Sequence, residues 1–174
     1  DFRGSKLFDQ ICELEEYYVT RTELALLREN LGEIIECLGP DCHLVEFGSG
    51  SSTKVQILLD KLQKPAGYTG IDISRDYLIS SCAKLSDVYP GLAVRAVCAD
   101  YSEALTVPAL GYSFGRPVAF FPGSSLGNFD EADAVKFLAR VATFLSKSGG
   151  GLLIGIDLKK DEETLNAAYD DAKG

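Results

Sequence analysis

Hydrophobic positions along the chain follow two periods in turn. Near the start they recur every three or four residues: Leu7, Ile11 and Leu14 within Gly4 to Leu14, then Leu24, Leu27, Leu31, Ile34 and Leu38. Such spacing puts the apolar side chains on one face of a helix. Thr20-Arg21-Thr22-Glu23 has the form of a capping box, in which threonine and glutamate satisfy the free N–H groups of a helix start. A second helix is therefore expected from Thr20 to about Cys37, stopped by Gly39-Pro40.

From there on, short apolar runs alternate with one-sided stripes. His43 to Phe47, Tyr68 to Ile73, Leu92 to Ala99, Pro117 to Phe121 and Gly151 to Asp157 read as strands. Between them, Thr53 to Gln63 carries Val55, Leu58, Leu59 and Leu62 on one helical face. Ser74 can cap a helix to about Tyr89, Asp130 one bearing Phe137, Val141 and Leu145, and Asp161 opens a last one. Alternation of this kind implies parallel strands with right-handed crossovers, hence an α/β fold with a doubly wound, mostly parallel sheet. Ligands of such sheets bind beyond the carboxyl ends of the strands, next to the first one.

The residues at those ends carry the candidate chemistry. The first strand runs into Gly48-Ser49-Gly50-Ser51-Ser52-Thr53-Lys54. Glycines 48 and 50 let the backbone turn sharply and approach a ligand, and the N–H groups of the next helix face the same spot. A plain tight turn would use the same residues. Asp72 ends the second strand, where a carboxylate can accept both hydroxyls of a ribose, as in NAD and S-adenosylmethionine proteins; an Asx-type strand end would look alike. The third strand ends in Asp100-Tyr101, an acid for an exocyclic amine and an aromatic for the face of an adenine. In the loop after the fourth, Gly123 and Gly127 allow close approach, and Asn128 offers both a donor and an acceptor.

Competing chemistries fit less well. A nicotinamide-dependent oxidoreductase calls for a small residue where Thr53 stands, and the phosphate-loop pattern G-x-x-x-x-G-K-[ST] is absent. A Ser-His or Cys-His nucleophile would have to recruit His43, the only histidine, which reads as a solvated residue where the first strand begins. A nucleoside-binding module without catalysis is the third reading. The net charge of −9 disfavours a nucleic-acid partner. No apolar run approaches the roughly 20 residues of a membrane span. Five cysteines, an odd number without a CxxC pair, point to reduced thiols in the cytoplasm that fill space as small apolar residues, with no metal site.

Asp1 to Phe8 (DFRGSKLF), Glu16 to Glu23 (EYYVTRTE), Val45 to Lys54 (VEFGSGSSTK), Val97 to Tyr101 (VCADY), Phe120 to Phe129 (FFPGSSLGNF) and Gly155 to Asp171 (GIDLKKDEETLNAAYDD) together resemble the histidine-specific (Nα) methyltransferases of ergothioneine biosynthesis, over essentially the whole chain. The resemblance implies a Rossmann-like class I methyltransferase, with an N-terminal helical segment (1–40) contributing to the substrate pocket and an S-adenosylmethionine-binding domain (41–174). It implies S-adenosyl-L-methionine as methyl donor, with Gly48 and Lys54 at the cofactor, Asp72 at its ribose, and Asp100 with Tyr101 at its adenine. Ser49, Gly50 and Gly123 complete the expected cofactor set. Tyr18, Asn128 and Tyr169 match positions that hold the amino-acid substrate, the last two at its carboxylate.

The expected reaction moves a methyl group to the α-amine of a free amino acid, with histidine, trimethylated to hercynine, as the expected substrate. No residue stands out as a general base, so catalysis is expected from alignment and exclusion of water. The family pattern also has an aromatic residue before Asp1 and an imidazole-recognising domain after Gly174. The chain therefore reads as truncated at its C-terminus, and the outer edge of its fifth strand as open to association.

Overall fold

A buried first strand organises the architecture. In the computed structural model, which describes residues 2–103 and 115–169, β1 (Cys42–Phe47) pairs in parallel with β2 (Gly67–Asp72) on one side and β4 (Arg116–Phe121) on the other. β3 (Val94–Cys98) extends the sheet beyond β2, and β5 (Gly151–Ile154) extends it beyond β4, giving the order β3-β2-β1-β4-β5 with every pairing parallel. Asp1 and the final Asp170 and Asp171 of the family-like segments lie outside the described residues.

Three helices precede the sheet: α1 (Phe2–Cys12), α2 (Tyr18–Glu29) and α3 (Leu31–Leu38). Among the described residues the remainder alternate with the strands: α4 (Thr53–Leu59), α5 (Arg75–Val88), α6 (Glu131–Ser146) and α7 (Glu162–Tyr169), with a 3-10 turn at Ser125–Asn128. Successive strand side chains point to opposite faces, and both faces are covered. Leu44, Tyr68, Val118 and Phe120 pack with Leu38, Val55, Leu58, Leu78 and Leu85 on one side. Val45, Phe47, Ile71, Ala119 and Phe121 pack with Phe137, Val141 and Leu145 on the other. Burying each large side chain contributes about 1.5–3 kcal/mol. The doubly wound arrangement is the one the alternating pattern predicts.

Local chemistry moves several expected details. The long second helix is broken at Asn30, which ends α2 and starts α3; its side-chain amide donates to the Leu26 carbonyl at 2.8 Å, beside the bond from its own N–H. The capping box does not form: α2 begins at Tyr18, before Thr20, with no side-chain cap. Helix α4 ends at Leu59 and not near Gln63, and β5 stops at Ile154, short of Asp157. Helix α5 does start after Ser74, but the Ser74 side chain makes no cap bond; its N–H donates instead to Asp72 Oδ1 at 2.8 Å. The caps at Asp130 and Asp161 form as expected, accepting from Asp133 N–H and Thr164 N–H.

His43 is not solvated. β1 begins one residue before it and is flanked on both sides, so the imidazole is fully buried with Nε2 2.8 Å from Thr69 Oγ1. Burial, with Arg95 nearby, pushes its pKa down to about 4, so it is neutral at pH 7. The cysteines also divide: Cys42 and Cys82 are buried and Cys12 half-buried, whereas Cys37 and Cys98 are exposed and do not fill space in the core.

Glu46, on β1 two residues before Gly48, is a carboxyl inside the core, 2% exposed, accepting a hydrogen bond from the Tyr68 hydroxyl at 2.6 Å. Burial pushes its pKa up to about 8, against the opposing pull of Tyr68 and Lys54. A carboxyl whose folded pKa lies above its unfolded value binds its proton more tightly in the folded protein. Its contribution to stability is therefore full below pH 4.5 and is lost as the pH rises towards about 8. Glu46→Gln keeps an acceptor for Tyr68 and removes the titration. Thermal unfolding between pH 5 and 9 is expected to show the wild type losing stability relative to Glu46→Gln as the pH rises, with about 1.4 kcal/mol for each unit of pKa difference. Parallel pH curves for the two proteins would refute it.

Candidate cofactor and substrate site

The loop after β1 folds back across the end of β2. Gly48 and Ser49 N–H groups both donate to the Ile71 carbonyl, at 2.8 and 3.3 Å. Gly48 has φ +70°, a left-handed conformation that glycine adopts without strain, and a Cβ there would sit 3.4 Å from the Tyr101 hydroxyl. Ser81 on α5 secures the turn, donating to the Gly50 carbonyl at 2.9 Å with Ser52 Oγ 2.8 Å away.

Register brings the three candidate strand ends side by side. Phe47 pairs with Ile71 and Asp72 with Cys98, so Gly48, Asp72 and Asp100 follow one another across β1, β2 and β3. Asp72 is half-buried, with the Asx-type contact to Ser74 already described. Asp100 accepts from the Ser102 hydroxyl at 2.6 Å and its N–H at 2.8 Å, which hold its carboxyl below the usual range. Tyr101 packs edge-on against Phe47 and Phe121, with ring centroids 6.1 and 5.7 Å away, and leans on Phe129 and Phe137.

Two clefts open along this edge. One, of about 450 Å³, lies between the Gly48–Lys54 loop and a roof made by α1 and α2, including Asp9, Cys12, Tyr17 and Thr20; Ser49, Gly50, Gly123 and Glu46 also line it. The other, of about 500 Å³, is lined by Asp100, Tyr101, Asn128 and Phe129. Ser125 borders both. A third, of about 90 Å³, holds Tyr18, Glu23, Ser124, Gly155 and Asp157.

The cofactor candidates Gly48, Ser49, Gly50, Lys54 and Gly123 thus face one cleft, and Asp100 and Tyr101 the next. The substrate candidates are spread out. Tyr18 lies in the small third cleft, and Asn128 lies beside Asp100 and Tyr101. Tyr169 is 68% exposed, its ring perpendicular to that of Tyr17 at 5.8 Å.

Four charged residues at the site were not singled out by the sequence reading. Glu23 pairs with Lys54 at 2.5 Å and accepts the Gly123 N–H on both oxygens at 2.9 Å. Glu46 lies beneath the glycine loop. Asp157 accepts from the Tyr18 hydroxyl and pairs with Lys160. Applying the strand-end rule to β5 as well as to the first four strands would have flagged Asp157. Glu23 was hidden by its fit to a capping box.

A sequence model described as histidine-specific, S-adenosylmethionine-dependent methyltransferase matches residues 1–174. The chain is 42% identical over 178 residues to the histidine N-alpha-methyltransferase of Mycolicibacterium smegmatis, covering all of this chain and 54% of that protein. It is 30% identical over 176 residues to ergothioneine biosynthesis protein 1 of Neurospora crassa, covering 99% of this chain and 20% of that one. The chain thus spans about half the length of the first relative, and less of the second. Its fold is similar to that of an S-adenosylmethionine-dependent methyltransferase from Thiobacillus denitrificans solved with S-adenosyl-L-homocysteine, at a TM-score of 0.53 and 20% identity over 93% of this chain and 61% of that one. With its parallel sheet, glycine loop and ordered acidic strand ends, this chain belongs to the family of histidine-specific, S-adenosylmethionine-dependent methyltransferases.

Proposed function

We propose that the protein transfers methyl groups from S-adenosyl-L-methionine to the α-amino group of a free amino acid, histidine being the expected substrate, in the cytoplasm. The observation that carries this reading is the sequence of Gly48, Asp72 and Asp100 across three adjacent strand ends. The names of its relatives, one a histidine N-alpha-methyltransferase and one an ergothioneine biosynthesis protein, support it. Free thiols at all five cysteines support the compartment, and among the described residues no helix is long and apolar enough to cross a membrane. The net charge of −9 favours a small molecule over a nucleic acid as substrate.

The residues present fit the donor. The missing Cβ at Gly48 leaves a cradle beside the Tyr101 hydroxyl, and Lys54, its ammonium paired with Glu23, lines the cleft wall. Asp72 would accept the ribose hydroxyls, and Asp100 the adenine amine with Tyr101 beside it. When bound, S-adenosylmethionine supplies an electrophilic methyl group on a sulfonium. The chain's own part is alignment: Tyr18 from α2, Asn128 from the loop after β4 and Tyr169 from α7 would hold the amino acid, the last two at its carboxylate. Helices α1 and α2 roof the cleft and would shield it from water, and alignment with desolvation is what an in-line transfer to a neutral amine requires.

Calorimetry on this chain is expected to show binding of S-adenosylmethionine and S-adenosylhomocysteine in preference to NAD. Asp72→Ala is expected to weaken it about tenfold or more, as for hydrogen bonds to a charged acceptor. Tighter binding of NAD would sink the assignment. In methylation assays of the full-length protein with histidine, Asn128→Ala is expected to raise KM about tenfold or more while leaving cofactor affinity unchanged. An equal loss of cofactor affinity would assign Asn128 to the adenine end, beside Asp100.

A further inference from the structure

Among the described residues, Lys54 is the only cation that lines the cleft of about 450 Å³, and it shares those walls with three acids, Asp9, Glu13 and Glu46. A lysine ammonium is a compact charge on a flexible four-carbon stem, with three hydrogens to donate. Left unheld, such a group turns to a neighbouring carboxylate, and a bridge to one of these acids would draw it across the space a ligand needs. Lys54 already acts on Glu46, pulling its pKa down against the effect of burial.

Glu23 holds the ammonium from the other side of the wall. Lys54 and Gly123 line the main cleft, whereas Glu23 lines the small cleft of about 90 Å³. Its Oε2 pairs with Lys54 Nζ at 2.5 Å, and both its oxygens accept the Gly123 N–H at 2.9 Å. A Cβ at Gly123 would come within 3.2 Å of Lys54 Nζ, so ammonium and loop are placed together. The chain also reserves room for this carboxylate. Gly155 has no left-handed φ, so space alone requires glycine there: a Cβ would fall 1.7 Å from Glu23 Oε1.

Resting on the amino-acid methyltransferase reading, we propose that Glu23 is a positioning residue of the cofactor site: it keeps the Lys54 ammonium at the cleft wall, clear of the cleft's own acids, so that Lys54 receives the carboxylate at the amino-acid end of the donor. Glu23 occupies one direction of the ammonium from behind and leaves its other hydrogens for the cleft. It acts through Lys54 and does not touch the ligand.

Calorimetry on the full-length protein with two probes tests this. S-adenosylhomocysteine carries the amino-acid end; methylthioadenosine has the same adenosine and thioether without it. Glu23→Gln keeps the shape but removes the charge and turns an amide hydrogen towards one of the two donors. It is expected to weaken S-adenosylhomocysteine about tenfold or more and to change methylthioadenosine by less than about twofold. Lys54→Met is expected to show the same pattern, and adding Glu23→Gln to it is expected to cost nothing more, because one residue acts through the other. Gly155→Ala, which pushes the Glu23 carboxylate aside from outside the main cleft, is expected to weaken S-adenosylhomocysteine selectively as well.

Equal losses for both probes would reduce Glu23 to a support of the fold. Tighter S-adenosylhomocysteine in Glu23→Gln would make Glu23 a competitor for Lys54, and additive losses in the double variant would separate the two residues. Each of these results overturns the proposal. If Glu23→Gln shows no thermal unfolding transition, Gly155→Ala decides by the same criteria. A wild type that binds neither probe sinks this proposal along with the methyltransferase reading. A wild type that binds both equally well, or variants with the wrong pattern, sink this proposal alone.

Discussion

The carboxylate of Glu23 is the contact on which the site's geometry depends. It comes from α2, pairs with Lys54 on α4 and caps the Gly123 N–H in the loop after β4. The Glu23 and Lys54 side chains are only 14% and 18% exposed, so the pair is largely shielded from water. Removing either partner leaves the other charge in a partly desolvated place without compensation. A fourth segment closes on the same group: a Cβ at Gly155, just beyond β5, would fall 1.7 Å from Glu23 Oε1. The position of α2 over the sheet edge, and with it the placement of Tyr17 and Tyr18, is thus referred to three other elements through one side chain.

This explains what the sequence discloses and what it conceals. Strand-helix alternation depends on local periodicity, so the five strands and the doubly wound class can be read directly, and the register then brings Gly48, Asp72 and Asp100 together. Glu23 resists such reading because Thr20 and Glu23 satisfy a local rule equally well, and only the tertiary position of Lys54 and Gly123 draws the carboxylate away. His43 misleads for a related reason. A polar residue at the start of a strand looks solvated until the pairing of β1 on both sides is known, and a buried Thr69 is there to bond it. Asn30 shows the limit from the other direction: an unbroken apolar stripe continues through it, yet its own side chain competes for the Leu26 carbonyl and divides the helix.

The substrate candidates show how far motif order goes. Tyr18, Asn128 and Tyr169 sit on three different elements, and their common purpose cannot be deduced from any one cleft. The loop from Pro122 to Phe129 links the first two of them, whereas Tyr169 meets Tyr17 instead. Ser124 bonds Asp157 beside Tyr18, Ser125 borders both large clefts, and Asn128 faces Asp100. A short segment of Gly, Ser and Asn can do this because its small polar groups reach in several directions within a few residues.

The walls of the main cleft are held by unlike forces. Its glycine loop follows a strand anchored in packed rings, Phe47, Tyr101, Phe121 and Phe137, with centroids 4.8–6.3 Å apart. Helix α1, in the roof, has no buried residue and is tied down by polar and edge contacts such as Tyr77 to Asp9 at 2.5 Å and Phe2 against Tyr77. Water can replace a hydrogen bond at a surface but offers nothing in exchange for interlocked rings. Lifting α1 therefore costs less than parting those rings, and of the cleft's walls the first helix is the one held most lightly.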